Sequence, residues 1–252
     1  VVTPLWVQVP PLAPNWLQMI IKYFFLILIL LSYNHSNSQD IDNKIEEFLL
    51  NNPEVILQSL KNYEERMLDE GKEKNKNLIK NNKDMIFNSK NGLYSGNVNP
   101  EKIIVEFLDY NCSYCKRSHQ DIKKLLKKHP EIKVIYKNFP ILSEQSLILA
   151  KMALVIAKEN NKKFNDFHDK LLKTKGFIDN KKIKKILLQL DYDLEKMKNE
   201  IGKPNIIAEV ERDIELARMF DLKGTPAFLI KDEVIFGYID HEEISKKISG
   251  QQ

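Results

Sequence analysis

Phe107-Leu108-Asp109-Tyr110-Asn111-Cys112-Ser113-Tyr114-Cys115-Lys116-Arg117 decides the fold, because it holds both cysteines of a 252-residue chain. Just before it and into it, Ile103, Ile104, Val105, Phe107 and Leu108 make an apolar run of strand length. After it, Ile122, Leu125 and Leu126 fall at helical spacing until Pro130 stops the pattern. A strand that feeds Cys-x-x-Cys at a helix start is the pattern of a thiol redox site. There the first cysteine meets free helix N–H groups and the positive end of the macrodipole. Both favour a thiolate, the reactive form of the side chain.

The chain carries a formal net charge of +4, and Lys22 is the only charged residue before Asp40. Beyond that point lysines and acids are interleaved, and no nucleic-acid-binding motif accompanies them, so no nucleic-acid partner is expected. The first residue is Val1, not Met, and residues 1–18 are rich in proline and tryptophan, unlike the rest of the chain. From Met19 the order is a basic start at Lys22, an apolar run over 23–31, and Ser36-Asn37-Ser38. That order matches a secretory signal peptide cleaved after Ser38, with translation starting at Met19 and 1–18 a dubious leader. The apolar run is short for a membrane span, though an uncleaved anchor is the alternative. Either reading exports the protein, and the expected location is the periplasm.

Export bears on the cysteines. Outside the cytoplasm cysteines commonly pair as structural disulfides. Cys112 and Cys115 would close a ring of only four residues, and stabilisation by loop closure grows with loop length. Redox exchange explains the pair better than stapling does.

Residues 39–91 read as a helical extension and linker. Ile41, Ile45, Phe48 and Leu49 share one helical face, and Asn52-Pro53 is a cap followed by proline at the first helical position. Ile56, Leu60, Tyr63 and Met67 then form a narrow stripe, suited to packing on the rest of the chain or to pairing with copies of itself. Residues 71–91 are rich in lysine and asparagine, as in a solvated helix continuation or linker. Residues 92–252 read as the catalytic domain. A second strand lies at 131–138. A helical block comes next at about 143–221, in which Ala150, Ala153 and Ala157 form a small-residue stripe, and residues 204–221 read as a helix with Ile207, Val210, Ile214 and Ala217 inward. A hairpin at 227–230 and 234–238, then a helix opened by Asp240 and Glu243, completes the order.

This order and its motifs resemble the DsbA-like thiol–disulfide oxidoreductases of the thioredoxin superfamily. The likeness rests on residues 105–115, on the helical insertion and on Gly224-Thr225-Pro226, and it extends over 93–250. The stretch Phe48-Leu49-Leu50-Asn51-Asn52-Pro53-Glu54-Val55 is similar to ScsC-like and α-proteobacterial members with an added helical arm. The expected fold is therefore α/β, a thioredoxin fold with a helical insertion, preceded by an N-terminal helical extension.

The resemblance implies roles for particular residues. Cys112 is the nucleophile, and Cys115, buried one turn along, resolves the mixed disulfide. Glu106 interrupts the apolar strand, and the family places there an acid that assists proton transfer from the buried cysteine. A solvent-facing glutamate on an edge strand is the alternative. Thr225 and Pro226 are expected beside Cys112, with a cis bond between them, where the Thr225 backbone can pair with an extended client. Tyr114 stands where strong oxidants often carry histidine, so a less oxidising couple is expected; a merely exposed aromatic is the other reading. His119, four residues past Cys115, allows a Cys-Cys-His set for copper or zinc, but structural zinc takes four ligands, so a surface histidine is expected and no metal ligand is assigned. Lys116 and Arg117 either stabilise the thiolate or line a solvated first turn.

The resulting expectation is an exported protein disulfide oxidoreductase with no cofactor. Its expected partners are secreted cysteine-containing proteins and a membrane redox partner. Two alternatives stay open: an isomerase or reductase that oligomerises through residues 40–70, and a copper- or zinc-binding thiol protein.

Overall fold

The computed structural model describes residues 15–250, apart from the side chains of 15, 17–18 and 30–39. Residues 1–14 of the doubtful leader at 1–18, and the side chains at the expected cleavage site, lie outside the described residues. The first helix, α1, spans Asn15–Asn51 and includes the apolar run at 23–31. Among the described residues no helix is long and apolar enough to cross a membrane. Helix α2 spans Pro53–Asn81, and α3 spans Lys83–Phe87. Contacts divide the chain into two units, the second beginning at Leu68.

In the first unit the side chains of Ile41, Ile45, Phe48, Ile56, Leu60, Tyr63 and Met67 are exposed. The second unit is built on a five-stranded sheet of order β1-β3-β2-β4-β5. Its strands are β1 Tyr94–Gly96, β2 Lys102–Leu108, β3 Ile132–Asn138, β4 Ala227–Ile230 and β5 Glu233–Phe236. Only β2 and β3 run parallel, joined through α4, Ser113–Lys128. β2 sits at the centre, covered on both faces, which is why its sequence is a continuous apolar run instead of an alternating one.

Side chains alternate across β2. Ile104 and Leu108 join one core with α4 and the helical block. Val105 and Phe107 join the other, with Ile79, Ile86, Leu216 and Phe220. Between β3 and β4 stand α5 Glu144–Glu159, α6 Asn161–Lys173, α7 Asn180–Leu188, α8 Leu194–Ile201 and α9 Pro204–Met219. The side chains of Ser143, Asn160, Asp179 and Asp193 each accept an N–H of the first turn of the helix they precede. The alanine stripe on α5 has a specific use. Gly92 has φ +81°, and a Cβ there would lie 2.1 Å from the Ala157 carbonyl oxygen, so only glycine lets the chain approach. Helix α10, His241–Ser249, starts at Asp240, whose carboxylate accepts the N–H groups of Glu242 and Glu243.

Two features depart from the sequence reading, and a third decides between its alternatives. The short edge strand β1 pairs antiparallel with β3 and has too few residues to show a period. On α9 the buried positions are Ile206, Val210, Asp213, Leu216 and Ala217, so Ile207 and Ile214 lie at the flank of the face. The lysine- and asparagine-rich segment after Gly71 remains helical to Asn81, the helix continuation and not the linker of the two readings. Ile79 and Ile86 are buried in the core, and Lys137 on β3 donates to the Met85 carbonyl at 2.7 Å. Replacing Ile86 with alanine should therefore cost roughly 2–5 kcal/mol of stability. The exposed Leu57→Ala should stay within about 0.5 kcal/mol, both measured by denaturant unfolding.

Candidate active site

The end of β2 delivers the loop Asp109-Tyr110-Asn111 to the start of α4, and this loop is fastened by its own polar side chains. The Asp109 carboxylate is buried and accepts three backbone N–H groups, from Asn111 at 2.8 Å and from Ile141 and Leu142 at 3.0 Å. Asn111 accepts the Ile178 N–H at 2.8 Å and donates to Ser146 Oγ at 3.4 Å. Beneath them the Tyr110 hydroxyl and His168 Nδ1 lie 3.1 Å apart, in a core shared with Tyr136 and Phe164. The loop is thus tied to the β3–α5 turn and to the α6–α7 connection. Asp109 and Asn111 carried a readable signal, since both residue types bond backbone N–H groups in turns. No role was assigned to either from the sequence.

Cys112 is the N-cap of α4, with extended backbone (φ −72°, ψ 124°) and no side-chain cap. Its carbonyl accepts the first helical bond, from Lys116 N–H at 3.1 Å. Its thiol donates to the Thr225 carbonyl at 3.1 Å. The Thr225–Pro226 peptide is cis, and the Thr225 hydroxyl is buried.

The pKa of Cys112 is lowered to about 5. The hydrogen bond from the Cys115 thiol is the largest cause, and burial opposes it. Thr225 and the N–H groups of Cys115 and Tyr114 add to the lowering. The neighbouring sulfur is driven the other way. Cys115 is 1 % exposed against 8 % for Cys112, and burial, Cys112 and Glu106 push its thiol well above the ordinary value.

Glu106 lies on the central strand, not on an edge, and is 2 % exposed. It faces the same core as Cys115, opposite Tyr136 on β3 and Phe228 on β4. Burial raises its carboxyl to about 8, offset in part by a 2.9 Å hydrogen bond from Ser118 Oγ. Tyr114 is 58 % exposed, two residues past Cys112. The structure thus gathers Cys112, Cys115, Glu106, Thr225 and Pro226 at one end of the sheet, with Tyr114 on the outer rim.

His119 is a correction to the sequence reading, because it is 5 % exposed and does not lie at the surface. Its Nε2 meets Asp169 at 2.9 Å, and Lys123 and Lys173 converge on the same carboxylate. That commits His119 to the α4–α6 contact. Among the described residues no group of three or more His, Cys, Asp or Glu side chains has the arrangement to hold a metal ion. Lys116 donates to the Gly176 carbonyl, and the Arg117 guanidinium stacks 4.3 Å from the Tyr238 ring centre.

A depressed thiol pKa stabilises the folded dithiol form above the unfolded value and loses that contribution as pH falls through the folded value. The stability gap between the reduced protein and Cys112→Ser should therefore widen as pH rises from about 5 towards 9. Paired urea titrations across that range check the sign. A gap that narrows with pH contradicts the thiolate assignment.

Comparison with known proteins agrees with this geometry. The profile of the DSBA-like thioredoxin domain matches residues 103–249, more than half of the chain. Disulfide bond formation protein D of Bacillus subtilis (strain 168) is 28 % identical over 155 residues, covering 58 % of this chain and 70 % of that protein. The thiol-disulfide exchange protein alpha-DsbA2 from Wolbachia pipientis superposes with a TM-score of 0.65 at 32 % identity, over 72 % of this chain and 97 % of that one. The catalytic domain of Proteus mirabilis ScsC gives 0.64 at 25 % identity, over 70 % and 97 %. The matched residues include Cys112, Cys115 and the Thr225–Pro226 turn, and the match spans more than half of the chain: this chain belongs to the DSBA-like thioredoxin domain family and is a protein disulfide oxidoreductase.

Proposed function

We propose that this protein is exported to the periplasm and exchanges disulfides with secreted cysteine-containing proteins through Cys112-Ser113-Tyr114-Cys115. The observation that carries the reading is the unequal placement of two sulfurs three residues apart: Cys112 caps α4 with its pKa lowered to about 5, and Cys115 lies 1 % exposed in the core with its thiol pushed well above the ordinary value. In the reducing direction the Cys112 thiolate attacks a client disulfide, forming a mixed disulfide and releasing one client thiolate. Cys115 gives its proton to Glu106 and attacks the Cys112 sulfur. The Cys112–Cys115 bond forms, the bond to the client breaks, and the client leaves as a second thiolate. Oxidation of a client is the reverse sequence, with Glu106 returning the proton to Cys115. When Cys112 is bonded to a client its thiol no longer occupies the Thr225 carbonyl. That oxygen is then free to accept a client backbone N–H, as in strand addition. Tyr114 offers an exposed ring to the residues flanking the client cysteine. Neither step needs a cofactor, and a membrane redox partner would reset the couple.

A second reading concerns direction. The exposed apolar side chains of residues 40–70 support an oligomer that shields Cys112 and favours isomerisation. Mass measurement in solution tests the oligomer, and recovery of a scrambled multi-disulfide client tests isomerase activity. A monomer removes the shielding argument.

Cys112→Ser should abolish exchange with client thiols, while Cys115→Ser should accumulate mixed disulfides visible on non-reducing gels. Exchange by Cys112→Ser at the parent rate overturns the reading. Both tryptophans, Trp6 and Trp16, precede Ser38, so the processed protein should show tyrosine but no tryptophan fluorescence. Tryptophan emission from the mature form contradicts cleavage after Ser38.

A further inference from the structure

Glu106 is a buried carboxyl without a cation. The groups that face it are the Cys112 and Cys115 sulfurs and Ser118 from α4, Tyr110 from the β2–α4 loop, Tyr136 from β3 and Phe228 from β4. Every titratable group among these is neutral or anionic. Ser118 is the one neighbour that favours the ionised carboxylate: its hydroxyl donates to Glu106 Oε1 at 2.9 Å. It lies one helical turn past Cys115 and is completely buried. Thiol, hydroxyl and carboxyl thus share one side of α4.

We propose that Ser118 is a positioning residue for the Cys115 half-reaction, holding the Glu106 carboxyl in place through the hydrogen bond to its Oε1. The proposal rests on Glu106 being the proton acceptor for Cys115. A carboxyl must be ionised to take a proton from a thiol, and an apolar pocket opposes ionisation. With its pKa at about 8 the carboxyl is ionised in only a minor fraction at pH 7, and burial unopposed by Ser118 would shrink that fraction further. A single neutral donor moves that balance without adding charge. A lysine in the same place would ionise the carboxylate fully and hold it by a strong ion pair, which suits acceptance but not return of the proton. Hydrogen bonding to Ser118 leaves both directions open, as reversible exchange requires. A hydroxyl on a buried helix face is otherwise a liability, since it must find an acceptor inside the core. The acceptor it finds here is the carboxyl beside the resolving thiol.

The test uses the reduced protein and an aromatic disulfide that releases one coloured thiolate when Cys112 attacks and a second when Cys115 resolves. Both phases are followed by stopped flow from pH 5 to about 10 in the parent, Ser118→Ala, Glu106→Gln and the double variant. Ser118→Ala should shift the acid limb of the second phase upward by about one pH unit, the size expected for losing a hydrogen bond to a charged group. At pH 7 that is roughly tenfold slower resolution. The first phase should change less than about twofold. Glu106→Gln should slow the second phase and remove the limb, and adding Ser118→Ala to it should change nothing further. Ser118→Thr, which keeps the hydroxyl, should restore the parent profile. The two assignments fail separately. If Glu106→Gln slows resolution but Ser118→Ala leaves the limb in place, Ser118 has no such role and Glu106 keeps its own. If Glu106→Gln resolves as the parent does, the acceptor assignment falls and Ser118 with it. Equal slowing of both phases by Ser118→Ala at every pH would reduce the residue to ordinary helix packing. Should Ser118→Ala not fold, a carbon-13 titration of the Glu106 carboxyl in Ser118→Gly, which also removes the hydroxyl, decides the matter: an upward-shifted midpoint supports the assignment and a parent-like one overturns it.

Discussion

The site depends on an electrostatic difference created across one turn of helix. Cys112 occupies the cap of α4, where the backbone is extended and the first N–H groups have no helical acceptors. A sulfur there can collect those donors as an anion. Three residues on, the helix has turned its side chains toward the core, and Cys115 meets only buried groups. The covalent distance between the sulfurs is small, yet their proton affinities move in opposite directions. That opposition makes one sulfur a nucleophile and keeps the other in reserve. It requires the cap to stay where it is, which the three N–H groups on Asp109 and the amide of Asn111 secure.

Two buried acids in the same unit show what that environment does to a carboxyl. Asp213 on α9 lies near Lys137, with Nζ 3.4 Å away, and accepts the Asn138 N–H at 2.9 Å. Lys137 also donates to the Met85 carbonyl, so both members of the pair are hydrogen-bonded and tie α3, β3 and α9 together. Glu106 has no such counter-ion, and its carboxyl is raised further than that of Asp213. A buried acid without a cation is unfavourable for folding, and its place on the central strand beside two thiols fits a chemical use better than a structural one.

The N-terminal part of the second unit shows composition giving a misleading picture. Its lysines and asparagines suggest a solvated tether, because so few of its residues are apolar. Ile79 and Ile86 are buried in the core, and Leu78, Met85 and Phe87 pack against it. Lys137 reaches it from the sheet, with an aliphatic stem compatible with burial and a head group satisfied by a carbonyl and a carboxylate. Average polarity says how much of a helix faces water, whereas a few residues decide where it docks.

Local pattern carried the redox pair, the strand–Cys-x-x-Cys–helix order, the extent of the helical insertion and the cap at Asp240. Each of these is written in residues close together in the chain, through periodicity or through a side chain bonding its own helix. The cis-proline turn came from resemblance; Glu106 stood out as a break in the apolar strand, and its proton-transfer role came from resemblance. What only the tertiary structure decided depends on distant segments meeting. It places Glu106 at the sheet centre instead of an edge and turns His119 inward to Asp169. It also brings Thr225 to the Cys112 thiol and Ser118 to Glu106. The physical reason is that burial raises or lowers a proton affinity, and burial belongs to the packed core, which no single stretch of sequence contains.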